Sequence, residues 1–184
     1  WYKAGFKISV VHAITTEDEE RVIAREKMSL DKSMVIVWRK GARGVKHVQE
    51  VKKEALKLSN TLSFNTVSLD VYVEVLGKVL TVFTKYERIL GVRSVEDLVK
   101  NHVFPTVAQV MINSLAKSVG GKIESPISAF YVLVKSILPP PVRRIDSAML
   151  ILLTGNLRRD ELVKEGVIKL EGEVVLLNES LQED

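Results

Sequence analysis

Seven cations fall between Arg39 and Lys57: Arg39, Lys40, Arg43, Lys46, Lys52, Lys53 and Lys57. Only Glu50 and Glu54 oppose them, a local charge of +5 against +4 for the whole chain, so the remainder is nearly neutral. Such a run can neutralise phosphates and give salt-dependent, sequence-independent affinity for nucleic acid. It reads equally well as a solvated helix face laced with Glu–Lys pairs. Arg39, Lys40, Arg43, Lys46 and Lys53 are its DNA-contact candidates, and Arg43 is the most suggestive because it sits in a glycine hinge. Two more basic pairs, Arg143-Arg144 and Arg158-Arg159, flank a short segment ahead of the last hairpin. In a unit that brings a helix to the major groove, residues so placed touch the DNA backbone. Such units also serve as protein-docking modules, and pairing with an acidic neighbour is the plainer role for Arg144.

Other chemistry is excluded more sharply. The chain has no G-x-x-x-x-G-K-[ST] phosphate loop and no G-x-G-x-x-G turn. Chemistry on an exocyclic amine uses an Asp/Asn/Ser-Pro-Pro-aromatic tetrapeptide to hydrogen-bond the target. Leu138-Pro139-Pro140-Pro141 has the prolines but neither the polar first residue nor the aromatic fourth, and reads as a rigid connector. His12, His47 and His102 lack metal-ligand spacing, and His47 and His102 read as surface or capping residues. Cysteine is absent, which removes disulfides and thiolate sites. No spacing of Ser, His and Asp marks a nucleophile. The expectation is a chain with no catalytic, cofactor-binding or metal-binding residues of its own.

The elements that must position the cations follow from period and punctuation. With 184 residues, 46% of them hydrophobic, the chain can bury a core. No apolar run approaches the ~18 residues of a membrane span, and no secretory leader opens it; the placement expected is cytoplasmic. Phe6, Ile8 and Val10 alternate with Lys7 and Ser9 as one face of a strand. Met34 to Trp38 is a short apolar, partly β-branched run that suits a strand covered on both faces. Thr16-Glu17-Asp18-Glu19 between them is a capping-box pattern.

After the Gly41-Ala42-Arg43-Gly44 hinge the period becomes helical. Val45, Val48, Val51, Ala55, Leu58 and Leu62 share one face. A second helix is expected from Leu69 to about Leu90, stopped by Gly91. Ser94 caps a short helix expected to end near Pro105, and Thr106 to Val119 forms another. Ser125-Pro126 opens the next, which stops before Pro139. Short helices follow from Arg144 to Leu153 and from Asp160 to Gly166. A hairpin made of 167–170 and 174–177, turning at Glu171-Gly172, closes the chain. The fold class is α+β and mostly α-helical: an amino-terminal strand pair (1–44), a helical region (45–121), and a winged-helix-like unit with a terminal hairpin (122–184).

Several stretches, in order, resemble one family. Trp1-Tyr2-Lys3-Ala4-Gly5-Phe6-Lys7-Ile8 and Ser33-Met34-Val35-Ile36-Val37-Trp38-Arg39-Lys40 look like the final two strands of a class I methyltransferase sheet. Leu76-Gly77-Lys78-Val79-Leu80 is similar to the G-x-A-L helix of the large adenine-specific DNA methyltransferases of archaea and bacterial defence loci. Ser125-Pro126-Ile127-Ser128-Ala129-Phe130-Tyr131, Ile145-Asp146-Ser147-Ala148 and Leu162-Val163-Lys164-Glu165-Gly166-Val167-Ile168 resemble that family's later motifs, with Ser125 where the family has aspartate. The resemblance implies N6-adenine methylation with S-adenosylmethionine. It puts the cofactor and catalytic motifs in a missing amino-terminal domain, leaves none in this segment, and makes DNA the partner, with neither membrane nor metal. It also sets His12 and Glu17, after the first strand, at the border of the target-base pocket, although capping with Thr16 is the favoured account of Glu17. On this reading the chain is a carboxy-terminal accessory segment, inactive alone. The alternative is a non-catalytic winged-helix module that binds DNA or a protein.

Overall fold

The computed structural model describes residues 2–15, 32–62, 64, 68–118, 125–137, 144–145, 158–171 and 174–178. They form a mostly helical α+β arrangement with small sheets. Strands β1 (Phe6–Thr15) and β2 (Lys32–Lys40) pair antiparallel, from Phe6 opposite Lys40 to Thr15 opposite Lys32. The register slips between Ile8 and Val10, and the Ser9 hydroxyl donates to Val37 O (3.1 Å). One extra residue turns the strand over. Ile8 and Val11 therefore share the inner face, while Val10 joins Val37 on the outer face and is 38% exposed. The simple alternation read for Phe6, Ile8 and Val10 fails at this bulge.

The run after the hinge begins differently from expectation. Gly44–His47 is a strand, β3, and Val45 is 61% exposed instead of facing the core. Helix α1 (Val48–Leu56) starts three residues later because His47 caps it, its Nδ1 accepting from Gln49 N (3.4 Å). The buried stripe Val48, Val51 and Ala55 is the one the period gave. Helix α2 (Leu69–Phe83) is capped by Ser68, whose hydroxyl accepts from Val71 N (3.3 Å). It ends at Phe83, well short of Leu90. Thr84 and Lys85 turn the chain into β4 (Tyr86–Leu90), which pairs parallel with β3, His47 lying beside Leu90. Gly91, at φ +86°, does terminate an element, but that element is the strand.

Helix α2 also carries the first hairpin. Thr84 is buried; its hydroxyl accepts from Ile8 N and donates to Leu80 O, both at 2.9 Å. The Ile8 N–H at the bulge is thus held by a side chain of the helix end. Thr84→Val keeps shape and removes the oxygen, so it should lower stability by about 1–3 kcal/mol, whereas Thr84→Ser should be close to neutral. Urea unfolding midpoints of the two variants test this; equal midpoints for Val and wild type would remove the hydroxyl from the account.

Helix α3 (Val95–Leu98) begins at Ser94 as the sequence requires, with its hydroxyl accepting from Asp97 N (3.0 Å). It does not end at Pro105. Over Val99–Val103 the turn widens, the Phe104 N–H reaching back to Val99 O, and the chain runs on into α4 (Phe104–Ser118). A wide turn moves the preceding carbonyls away from a proline ring, which lifts the usual clash. Helix α5 (Pro126–Ile137) opens at Ser125-Pro126 as expected. One core joins Val51 and Val79 with Val107, Met111, Phe130, Leu133, Leu162 and Ile168, so the first and last helices share it.

Near the carboxy end, Arg144–Ile145 is a strand, β5, where a helix start was expected; residues 146–157 lie outside the described set. A backbone pairing with the last strand captures these two residues. Helix α6 (Arg159–Lys164) ends ahead of Gly166 (φ +69°), and β6 (Ile168–Glu171) pairs antiparallel with β7 (Val174–Leu177). The strand order is β5-β7-β6, all antiparallel.

Candidate nucleic-acid interface

The β1–β2 register sets Lys7 directly opposite Arg39, and Phe6 opposite Lys40. Opposed residues on one sheet face bring their Cβ atoms to about 5 Å. The Lys7 stem lies along the Gly41 backbone, its Cε 3.5 Å from where a Cβ of residue 41 would sit. Arg39 and Lys40 are exposed. Among the described residues, no carboxylate lies within ion-pair distance of Lys7, Arg39 or Lys40. Lys7 and Arg39 thus share the outer face at one end of the strand pair, and Lys40 ends β2 on the opposite face; among the described residues none of the three has an acidic partner.

The rest of the basic run is occupied otherwise. Arg43 is half-buried and its Nη1 donates to Phe6 O (3.3 Å), tying the hinge to the start of β1. Lys46 donates to Glu54 Oε2 (3.3 Å) and to Tyr86 OH (3.1 Å), with its ammonium 5.1 Å from the Tyr86 ring centre. Glu54 is a hub: Oε2 also accepts from Tyr86 OH (2.5 Å) and Oε1 from Lys85 Nζ (2.9 Å). Burial alone pushes the Glu54 carboxyl up, but the bonds from Tyr86, Lys85 and Lys46 outweigh it and bring it down to about 2. Burial lowers Lys52, and His102 is lowered by burial and by the nearby Lys52 charge. Lys53 remains exposed on α1.

The carboxy-terminal candidates divide as well. Arg158 precedes α6; its N–H donates to Glu161 Oε2 (3.0 Å) and its guanidinium lies 3.6 Å from the Asp160 carboxylate. Arg159 is exposed at the first position of α6. Arg144 stands opposite Leu176 in the β5–β7 ladder, and Arg143 lies outside the described residues. Of the pocket-border pair, His12 is exposed opposite Val35, and Glu17 lies outside the described residues.

Sequence reasoning missed Lys7, Lys85 and Tyr86. Lys7 is visible only as the polar member of the β1 alternation, and the strand register is needed to set it beside Arg39. No group of three or more His, Asp or Glu able to hold a metal occurs among the described residues. No helix among them is long and apolar enough to cross a membrane. The Gly41–Gly44 turn joins strand to strand, and Arg43 bonds across it to Phe6. It is not the strand-to-helix turn that cradles a nucleotide or an adenosine-bearing cofactor.

No family model, curated protein or solved structure matches the chain.

Proposed function

We propose that this chain is the accessory, DNA-contacting region of an S-adenosylmethionine-dependent N6-adenine DNA methyltransferase whose catalytic and cofactor motifs lie in a preceding part of the protein. The observation that carries the reading is the β1–β2 pair. Its inner face rests on α2, while Val10, Ile14, Val35 and Val37 on the outer face are 37–45% exposed, and among the described residues no third strand pairs with it. A strand pair apolar on both faces suits the margin of a larger sheet. The ordered motif resemblances supply the identity of that sheet. The uncompensated cations at the end of the pair supply the affinity for DNA, and no step of the methyl transfer is assigned to these residues.

The strand order β5-β7-β6, with α6 leading into the hairpin, favours a second reading: a winged-helix module that binds DNA or a protein partner without any catalytic domain. One measurement separates the two. The intact mass of the protein from its source, with the sequence of its gene upstream of Trp1, should reveal a longer chain. That chain should hold a glycine-rich strand-to-helix turn and an Asp/Asn/Ser-Pro-Pro-aromatic motif, and the purified protein should methylate adenine in duplex DNA. A start codon immediately before Trp1 would end the methyltransferase reading and leave the winged-helix module standing.

A further inference from the structure

The run of cations that stands out in the sequence is not one surface. Arg43 is engaged by a backbone carbonyl, Lys46 and Lys85 by Glu54, and burial disfavours the charge of Lys52. Lys53 and Lys57 stay exposed at α1; the other cations of the run without an acidic partner among the described residues, Arg39 and Lys40, are at the hairpin end, where Lys7 joins them from outside the run. We infer that Lys7, Arg39 and Lys40 form the phosphate-binding site of this chain, and that its ligand is the backbone of duplex DNA. The inference rests on the DNA-contact reading and deepens it, for it moves the contact off the α1 helix face and onto the open end of the strand pair.

Three features support the assignment. The backbone beneath the cations is held by strand pairing: Lys7 and Arg39 are cross-strand partners on one face, and Lys40, opposite Phe6, ends the same strand on the other, so less backbone freedom is lost when phosphates are gripped around this end. The Arg43 guanidinium bonds Phe6 O and pins the same end of β1, a positioning role that adds positive charge behind the site. Among the described residues of the strand pair, the neutral group suited to a base edge, His12, is five positions further along β1. The site therefore fixes DNA in place and reads no sequence.

The test is binding of the chain to a random-sequence duplex of about 20 base pairs, followed by fluorescence anisotropy over a range of NaCl concentrations. Each neutralised phosphate contributes about −0.9 to the slope of log affinity against log salt. The triple variant Lys7→Ala, Arg39→Ala, Lys40→Ala should lose two to three such contributions, and at least about tenfold in affinity at low salt. The charge-keeping variant Lys7→Arg, Arg39→Lys, Lys40→Arg should hold the wild-type slope. Lys53→Ala with Lys57→Ala, on the helix, should change it by less than one contribution. Thermal midpoints establish that each variant is folded. If the triple variant keeps the wild-type slope while the chain still binds DNA, the inference is overturned and the DNA reading survives. A loss that follows Arg158→Ala and Arg159→Ala instead overturns it in favour of the winged-helix unit. A wild-type chain that does not bind the duplex overturns both.

Discussion

Gly77→Val should be the most damaging single change near the hairpin, lowering stability by about 3 kcal/mol or more. Gly77 sits in the middle of α2, where glycine costs about 1 kcal/mol relative to alanine, so helix propensity alone predicts that Gly77→Ala would stabilise. The packing reverses that sign. A Cβ at residue 77 would stand 2.5 Å from Val11 Cβ and about 3 Å from both Val11 methyl groups. Val11 is held by its strand partner Ile36 and cannot step back without moving β1. Gly77→Ala should therefore destabilise by about 1–3 kcal/mol despite its better propensity, and valine by more. The hairpin is the element that must yield, so the change should appear first at Trp38, half-buried on β2. In a background lacking Trp1, the Trp38 emission of the variant should shift red at urea concentrations where the helical circular dichroism is intact. A double-mutant cycle with Val11→Gly, which deletes the clashing atom, should show a favourable coupling. Additive losses would mean that the two residues do not meet.

The close approach at Gly77 illustrates what could and could not be read in advance. Caps were legible: Ser94 and Ser125 each stand where their hydroxyls accept from the first helical turn, because this chemistry is complete within four residues. The left-handed turn at Gly166 and the hairpin after it were legible for the same local reason. The misplaced strands depended on distant partners. Tyr86 and Leu90 continue the three-and-four spacing of α2, so nothing local distinguishes strand from helix there; β3, about 40 residues earlier in the sequence, makes the segment a strand by pairing with it. Pro105 ends a helix only if the turn before it has normal width, and the widened Val99–Val103 turn removes that condition. The bulge at Ser9 sends Val10 to the outer face, which no alternation can foresee. The candidate site follows the same pattern. Arg39 and Lys40 were evident as charges, but Lys7 needed the register, and the neutralisation of Lys46 needed Lys85, Tyr86 and the fold that delivers them to Glu54.

Replacing that hub, Glu54→Ala, should lower stability near neutral pH by about 1–3 kcal/mol and should loosen β4 before the helices. The carboxylate is the one acceptor shared by Lys46 from β3, Lys85 from the turn and Tyr86 from β4, so it joins the parallel strand pair to α1. Its side chain is 28% exposed, and those of Lys46 and Lys85 are 34% and 50% exposed, so water screens the charges and both ammonium groups can rehydrate. After that discount the ionic part is worth about 1 kcal/mol, and the rest comes from the short Tyr86 bond. The pH dependence has a definite sign. The folded carboxyl titrates at about 2, below its ordinary value of 4.5, so its stabilisation is fully present above 4.5 and fades as pH falls towards 2. The gap in urea midpoint between wild type and Glu54→Gln should thus be constant from about pH 7 to 5 and close progressively below that. Tyr86→Phe, which removes one donor and leaves both ion pairs, should retain part of the gap and shift its closing to higher pH. A gap that stays open at pH 2.5, or that Tyr86→Phe leaves untouched, would mean that β4 is held by its strand pairing and apolar contacts alone. The uncompensated charge would then extend from the hairpin end to Lys46 and Lys85, and the salt dependence of DNA binding would include them.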